Sequence, residues 1–529
     1  MKKILLSLML LTVSFIIGCE TNSARYDYVI KNGKIIDGTG NPWYQTDIGI
    51  IGDKIAEIGI IPEESCKRII DASGKVVTPG FIDIHSHADD RILEDRTAHN
   101  LIIQGATTVL GGNCGGSHLN LHEFFKKLES NGIALNLATL IGHNTIRREV
   151  MGNMDREPTQ DELSKMKRIV EIEMKAGALG LSTGLKYLPG AFSSTEEVIE
   201  LAKVVSDYWG FYASHLRDEG LKLFESIEEA VEIGEKANIP VQISHHKAVG
   251  ADMWGESRNS LKMMENVRKK GIDVTTDQHP YPATFTGITI IFPEWAIEGD
   301  EAKIKTRLNN PDTRRKVIDG IVYNIKHDRG GNDIRNITIA MYTKDTLLEG
   351  KNLHEILIMK GRETTMENAA ELLIELYENE NAQVLYHCLS MEDVVRIMAH
   401  PLTMHASDAG ISEFNKGKIH PRHYGHFPRI LALHVRERGD LSIEEAIRKM
   451  TSFPASRIGL RDRGVLLEGK CADIVIFDPD TIQDKATWDN PHQYPEGIDY
   501  VMCNGEITVD HGNITGNLPG KVIYGPGKK

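Results

Sequence analysis

The stretch "PGFIDIHSHADD", residues 79–90, sets two histidines one residue apart at the end of an apolar run. The pattern predicts a strand, and side chains two apart on a strand point to the same face. His85 and His87 are therefore expected to lie side by side. A single histidine at such a position is more often a packed core or surface residue, so the interpretation of this pair depends on which groups join it.

Composition limits the class of protein. The chain has 529 residues, 41% of them hydrophobic, which is enough for one large buried core with a smaller satellite domain. The formal net charge is -14, and the acidic residues are spread along the chain. This argues against binding to nucleic acid or any other polyanion.

The first nineteen residues, "MKKILLSLMLLTVSFIIGC", combine a basic start with an apolar stretch and then Gly18 and Cys19. This layout is typical of a secretory signal. The ending resembles a bacterial lipobox, which predicts a lipoprotein signal peptide over 1–19 and a membrane contact made only through the lipidated Cys19. Glu20 favours the outer membrane, so the chain is expected on the periplasmic side. The alternative is a buried N-terminal helix. No other run is long enough to cross a bilayer.

From Pro79 onward the pattern alternates between strands and helices. The predicted strands are "FIDIHSH", "GATTVLGGN", "LNLATLIGH", "GALGLSTGL", "GFYASHLRD", "IPVQISHHK", "IDVTTDQHPY" and "LTMHASD". Eight strands separated by helical segments predict an α/β fold, a (β/α)8 TIM-like barrel over residues 79–459.

Two further segments complete the predicted organisation. Residues 284–401 form an insertion between strands seven and eight, and a segment of that length favours a lid or subdomain over a loop. Short strands with turn residues occupy 26–78, and a similar pattern returns in 460–529. We expect these two ends to pair in one small β-sandwich.

Groups able to bind a metal recur at the predicted carboxyl ends of the barrel strands, where barrel active sites lie. These residues are Asp83, His85, His87, Cys114, His143, His215, His245, His246, Lys247 and Asp408. Their common location predicts a divalent-metal site. Cys114 lies in "GGNCGGS", whose glycines favour an exposed turn, whereas Cys66, Cys388, Cys471 and Cys503 are interpreted as small hydrophobic residues.

A thiolate together with imidazoles favours zinc, and the residues alone leave open which of them are ligands. A catalytic zinc keeps one position for water, whereas a structural zinc has four protein ligands. Asp408 could supply the base that takes a proton from metal-activated water.

With these motifs in view, the chain resembles the amidohydrolase superfamily and, within it, the N-acyl-D-amino-acid deacylases or D-aminoacylases. The resemblance covers nearly the whole chain after the predicted signal. It rests on "PGFIDIHSHADD", "QGATTVLGGNCG", "GHNTIR", "GALGLSTGLKYLPG", "YASHLRDEG", "ISHHK", "DQHPYPA", "SDAG", "HPRHYGHFPR" and "RGVLLEGKCADIVIFDP", in that order.

The resemblance implies a role for each site residue. One tightly held zinc would be bound by Cys114, His215 and His245, and a second, weaker metal position by His85, His87 and Asp408. Asp408 would act as general base and acid. The substrate carboxylate would be held by Tyr187, Lys247 and Arg422. Without the resemblance, Arg422 is better interpreted as a surface charge beside Pro421.

The predicted function is a zinc-dependent hydrolase that cleaves N-acyl-D-amino acids to a carboxylate and a free D-amino acid. Lys186, Leu188, His279 and Pro282 depart from the family pattern and leave the acyl and side-chain pockets open. One alternative is an amidohydrolase acting on a cyclic amide or on a dipeptide with a C-terminal D-residue. A more remote alternative is a metal- or solute-binding lipoprotein without catalysis.

Overall fold

A computed structural model describes residues 25–528 of the chain. The predicted signal peptide and Cys19 lie outside the described residues. Within the described part, no helix combines the length and the apolar character needed to cross a membrane.

In the described part of the chain, seven short strands precede the barrel. They are β1 (Tyr26–Lys31), β2 (Lys34–Ile35), β3 (Tyr44–Gln45), β4 (Asp47–Ile51), β5 (Lys54–Gly59), β6 (Cys66–Asp71) and β7 (Val76–Pro79). Strands β5, β4, β1 and β6 form one sheet in that order, whereas β2, β3 and β7 belong to another. The turn at Asn32, whose φ is 64°, therefore passes the chain from one sheet to the other.

The barrel contains strands that each pair in parallel with the next. In chain order the elements are β8 (Phe81–Asp83), β9 (Ser86–His87), α1 (His99–Ile102), β10 (Ala106–Gly111), α2 (Leu121–Asn131), β11 (Asn136–Thr139), β12 (Ile141–Gly142), α3 (His143–Met151), α4 (Gln160–Ala176), β13 (Gly180–Gly184), α5 (Thr195–Ser206), β14 (Phe211–His215), α6 (Leu223–Ala237), β15 (Val241–Ile243), α7 (Ser257–Lys269) and β16 (Val274–Gln278). The third barrel strand is split, because β11 pairs with β10 and β12 pairs with β13.

The insertion after β16 folds around its own apolar core. Its elements are β17 (Thr284–Gly287), α8 (Glu301–Asn309), α9 (Pro311–His327), β18 (Ile337–Met341), α10 (Leu353–Met359), α11 (Met366–Asn379), β19 (Gln383–Tyr386) and α12 (Met391–Ala399). The strands form an antiparallel sheet in the order β17-β19-β18. Strand β17 comes directly after the seventh barrel strand, so this sheet lies close to the barrel rim.

The eighth barrel strand, β20 (Thr403–His405), pairs with β16. Just beyond it, β21 (Ala409–Gly410) pairs in parallel with β9, and the backbone N–H of Asp408 donates to the carbonyl of His85 at 2.8 Å. The first and eighth strands therefore meet past their carboxyl ends, and the predicted barrel is confirmed. The opening stretch is two short strands with a bend at Ile84 and His85, not one continuous strand.

The remaining elements bring the two chain ends together. They are α13 (Arg422–Arg429), α14 (Ile443–Met450), α15 (Ser452–Arg457), β22 (Ile474–Phe477), β23 (Ile498–Cys503), β24 (Glu506–Asp510) and β25 (Asn513–Ile514). Strand β22 pairs antiparallel with β7, so both ends share a seven-stranded sheet. This sheet packs on the four-stranded sheet through a common apolar core, as expected of a sandwich.

The last residues of the predicted 460–529 unit do not join the sandwich. The N–H of Leu137 donates to the carbonyl of Lys521 at 3.0 Å, and the rings of Tyr524 and Phe125 lie 5.3 Å apart. Val522 and Tyr524 pack against the core of the barrel. The tail therefore follows the barrel because its apolar side chains are buried there.

A buried carboxylate, Asp473, joins the sandwich to the barrel. It accepts from the backbone N–H of Asn504 at 2.7 Å and from the side-chain amide of Asn136 at 3.3 Å. It also pairs with the guanidinium of Arg463. The Asp473 carbonyl accepts from the N–H of Gly80 at 2.8 Å. One residue thus bonds to both modules.

Replacing Asp473 with alanine should destabilise the fold, because the buried Arg463 guanidinium would lose its closest carboxylate and keep only the more distant, exposed Asp462. We expect Asp473→Ala to lower the free energy of unfolding by about 3 kcal/mol, measured by urea denaturation. The control is Asp510→Ala, since Asp510 forms an exposed ion pair with Arg68 at 3.0 Å; its cost should stay below about 1 kcal/mol. Equal effects of the two substitutions would contradict the role of Asp473.

Candidate active site

A cavity of about 330 Å³ opens at the carboxyl ends of the barrel strands. Eight of the nine predicted site residues line it: His87, Cys114, Tyr187, His215, His245, Lys247, Asp408 and Arg422. The ninth, His85, lies fully buried directly beside them. The structure therefore brings the whole predicted set together.

Cys114 and the histidines form overlapping groups that could hold a metal ion. The ligand atoms of Cys114, His215 and His245 all lie within 4.8 Å of one another, and so do those of His85, His87 and Cys114. A third such group consists of His85, His245 and Asp408. Among the described residues, neither ring nitrogen of His215 has a hydrogen-bond partner. A buried imidazole without a partner fits a residue that binds a metal ion.

The surroundings of Cys114 favour the thiolate form of its side chain. Burial opposes ionisation, but the charges of His85 and His245 hold the pKa of this thiol well below its usual range. The Sγ atom lies 3.4 Å from Nε2 of His245 and 3.3 Å from Nε2 of His85. Since the thiolate is the form that binds metal, this environment suits a soft divalent ion such as zinc.

A glycine-rich turn places this thiolate. Cys114 has a φ of 52°, between Gly112 at 71° and Gly115 at 77°, so the turn passes through the left-handed region that favours glycine. The turn packs against β13: a Cβ on Gly184 would lie 2.2 Å from the carbonyl oxygen of Cys114. Cys114 is half-buried, which differs from the exposed turn predicted from the sequence.

Asp408 lies at the end of the eighth strand and faces the same space. Its Oδ2 accepts from Nη1 of Arg422 at 2.7 Å, and its Oδ1 lies 3.3 Å from Nε2 of His87. Burial opposes the charge, but Arg422 holds the pKa of Asp408 well below its usual range. Asp408 is therefore a carboxylate that can accept a proton. Arg422 is 3% exposed, so the interpretation of this residue as a surface charge is wrong.

A buried carboxylate that the sequence reasoning missed, Glu219, organises the other side of the cavity. It pairs with Nζ of Lys247 and lies 3.2 Å from Nδ1 of His245 and 3.5 Å from Nε2 of His215. Its second oxygen accepts from Nη2 of Arg329 at 2.9 Å. Burial opposes ionisation, but Lys247 holds the pKa of Glu219 well below its usual range. The only sequence signal for Glu219 was its place in "SHLRDEG", four residues after His215.

The insertion supplies one wall of the cavity. The hydroxyl of Tyr187 lies 3.2 Å from Oγ1 of Thr286 on β17, and its ring centroid lies 4.6 Å from that of His215. Gln383 and Arg329, both from the insertion, also line the cavity. The sequence predicted an insertion here but gave no contacts for it.

Three groups of the predicted rim do not reach the cavity. Nε2 of His143 lies 2.8 Å from Glu197, and Nε2 of His246 lies 2.8 Å from Ser260. Asp83 accepts instead from the N–H of Ser407 at 3.0 Å, which ties the first strand to the eighth. Glu197 lies on α5 and Ser260 on α7, so the two histidines face the surrounding helices and not the cavity.

The structure combines a (β/α)8 barrel with thiolate, imidazole and carboxylate groups that converge at its carboxyl rim. This combination is typical of proteins that hold metal ions there. The family model described as "Amidohydrolase family" matches residues 68–509. The chain belongs to this amidohydrolase family, as its motifs predict.

Known relatives cover almost the entire chain. A D-aminoacylase of Alcaligenes xylosoxydans xylosoxydans is 33% identical over 528 residues, covering 95% of this chain and 99% of the relative. An N-acyl-D-glutamate deacylase of the same organism is 32% identical over 503 residues, covering 91% and 93%. The crystal structure of N-acyl-D-glutamate deacylase from Bordetella bronchiseptica, complexed with zinc and a phosphonate inhibitor, has a TM-score of 0.81 at 31% identity and covers 94% of this chain and 100% of that one.

Because β13 packs closely against the Cys114 turn, an added side chain on β13 should affect metal binding. Gly184→Ala should displace the carbonyl of Cys114 and weaken metal binding about tenfold, measured as metal per chain after dialysis against a chelator. The matched control is Gly116→Ala in the same turn, where the nearest atom to the added Cβ is 3.7 Å away. Unchanged metal binding in Gly184→Ala would contradict the packing argument.

Proposed function

We propose that the protein is a zinc-dependent hydrolase that cleaves the amide bond of N-acyl-D-amino acids, releasing a carboxylate and a free D-amino acid. The observation that carries this proposal is the ionised Asp408 beside the Cys114, His215 and His245 cluster. A metal-ligand set next to a separate carboxylate base is what amide hydrolysis by metal-activated water requires.

Cys114, His215 and His245 would hold the zinc ion. The pair His85 and His87, with Asp408, would offer a second, weaker metal position. When bound, zinc would polarise the amide carbonyl and make the attacking water more acidic.

The chain's own residues would move the proton. Asp408 would accept it from water at Oδ1, the oxygen that Arg422 does not hold, and then donate it to the leaving nitrogen. The short Arg422 contact to Oδ2 fixes the orientation of the carboxylate during both transfers.

The substrate carboxylate would be held by Tyr187, Lys247 and Arg422. All three line the same small cavity, and cationic donors bind a carboxylate more strongly than neutral ones. This arrangement favours a linear substrate with a free carboxylate. Hydantoins and cyclic imides lack that group. A non-catalytic binding protein would have no need of an additional carboxylate base.

The proposed function predicts hydrolysis of N-acetyl-D-amino acids and not of their L-isomers. The test is release of free amine from a panel with acidic, basic and apolar side chains, using protein of measured zinc content. A zinc-loaded chain that cleaves none of the D-substrates would overturn the proposal, whereas cleavage of hydantoins or other cyclic amides would favour the alternative.

Asp408→Asn should remove the base without removing the metal. We expect kcat to fall about a thousandfold while the zinc content stays close to that of the unaltered protein. The control is Asp440→Asn, because Asp440 pairs with His434 and Arg438 and none of the three lines the cavity. Its kcat should stay unchanged. If Asp408→Asn loses its zinc, Asp408 acts as a required metal ligand instead.

We also propose that the chain is an exported lipoprotein on the periplasmic side of the outer membrane, anchored through Cys19. The support is the basic start, apolar stretch and Gly18-Cys19 ending of the first nineteen residues. Cells grown with labelled palmitate should incorporate label into the chain, and Cys19→Ser should abolish it. Label retained in Cys19→Ser, or a fully soluble unaltered chain, would contradict this proposal.

A further inference from the structure

Arg329 brings a positive charge from the insertion into the active-site cavity. It follows the end of α9 and is only 2% exposed. Its Nη2 donates to Glu219 at 2.9 Å. Among the described residues, Nε and Nη1 of Arg329 have no hydrogen-bond partner. Buried charged donors without an acceptor are costly, so an acceptor is expected to enter the cavity with the substrate.

The segment that carries Arg329 is fixed against the barrel. Gly250, in the loop after β15, has a φ of 88°, and a Cβ there would lie 2.9 Å from the carbonyl of His327 and 3.1 Å from that of Asp328. The next residue back, Val249, donates its N–H to the carbonyl of Glu219 at 2.8 Å. Arg329 and Glu219 are therefore positioned by the same loop, and the guanidinium is held ready rather than free to swing.

The residues assigned to the α-carboxylate and the amide, which all N-acyl-D-amino acids share, do not include Arg329. In the proposed function, Tyr187, Lys247 and Arg422 hold the α-carboxylate, while the metal cluster faces the amide. Only the side chain and the acyl tail of an N-acyl-D-amino acid remain to be bound. Of these two, a side-chain carboxylate is the group that a buried guanidinium pairs with best.

The residues that line the cavity suit a substrate with a polar side chain. Within the described chain, the residues lining the cavity include no leucine, isoleucine, valine or methionine. Opposite the barrel rim the wall carries Thr284, Thr286 and Gln383, and its main apolar surfaces are the rings of Phe285 and Tyr187. Pockets that select hydrocarbon side chains are lined mainly by apolar residues, which this cavity is not.

We propose that Arg329 is a specificity-determining residue that holds the side-chain carboxylate of the substrate. The preferred substrates are then N-acyl derivatives of acidic D-amino acids. This inference rests on the proposed function and adds to it the class of side chain.

The test compares N-acetyl-D-glutamate with its uncharged isostere N-acetyl-D-glutamine, using the zinc-loaded protein. The chain should prefer N-acetyl-D-glutamate. Arg329→Met should lower its kcat/KM by about a hundredfold, mainly through KM, and change that of N-acetyl-D-glutamine by less than about threefold. Arg329→Lys should restore part of the loss. The control is Arg335→Met, which removes an exposed arginine of the same insertion and should leave the ratio of the two substrates unchanged.

Two results would overturn the inference. An equal loss for both substrates in Arg329→Met, with reduced zinc content, would mean that Arg329 acts only through Glu219. A preference for N-acetyl-D-leucine that Arg329→Met leaves unaltered would refute the acidic specificity while supporting the proposed function.

Failure of the proposed function gives a different result, namely no cleavage of any D-substrate. In that case, the affinity for N-acetyl-D-glutamate still tests whether Arg329 holds the side-chain carboxylate. Calorimetry with N-acetyl-D-glutamate should show weaker binding to Arg329→Met than to Arg335→Met, and equal binding to the two variants would overturn the inference.

Discussion

The thiolate of Cys114 is the group around which the active site is built. It lies within hydrogen-bond distance of His85 and His245 and belongs to two of the three possible metal-binding groups. Its position depends on a left-handed turn that only closely packed glycines permit. Cys114 and the imidazoles of His85, His215 and His245 come from the ends of four strands, β8, β10, β14 and β15. These strands must therefore lie side by side before the side chains can meet.

A second constraint connects the barrel to the insertion. The buried carboxylate of Glu219 contacts His215 and His245 on one side and Lys247 and Arg329 on the other. Polar partners behind metal-binding histidines fix the orientation of the rings. Because Arg329 comes from the insertion, the same carboxylate links His215 and His245 to the cavity wall that the insertion supplies.

The sequence predicted the barrel because eight strand patterns alternate with helical segments. It placed the cavity because the metal-binding residue types recur at the ends of these strands, and parallel strands share one carboxyl rim. It could not predict Glu219 or Arg329. Both residues lie in loops, and the periodicity of hydrophobic residues does not predict the path of a loop. Arg329 is also more than a hundred residues from its partner Glu219. His143 and His246 were included wrongly, since a strand-end position does not reveal that their rings turn toward Glu197 and Ser260.

In the proposed function, the Cys114 thiolate binds the catalytic metal. Replacing the bound metal with cobalt(II) tests it directly, since a cobalt–thiolate bond gives intense charge-transfer absorption in the near ultraviolet, which imidazole and carboxylate ligands do not give. A bond between Cys114 and the metal predicts this absorption in the unaltered protein and its loss in Cys114→Ser. A cobalt-loaded protein without the absorption, or a Cys114→Ser variant that retains it, would show that Cys114 is not a ligand.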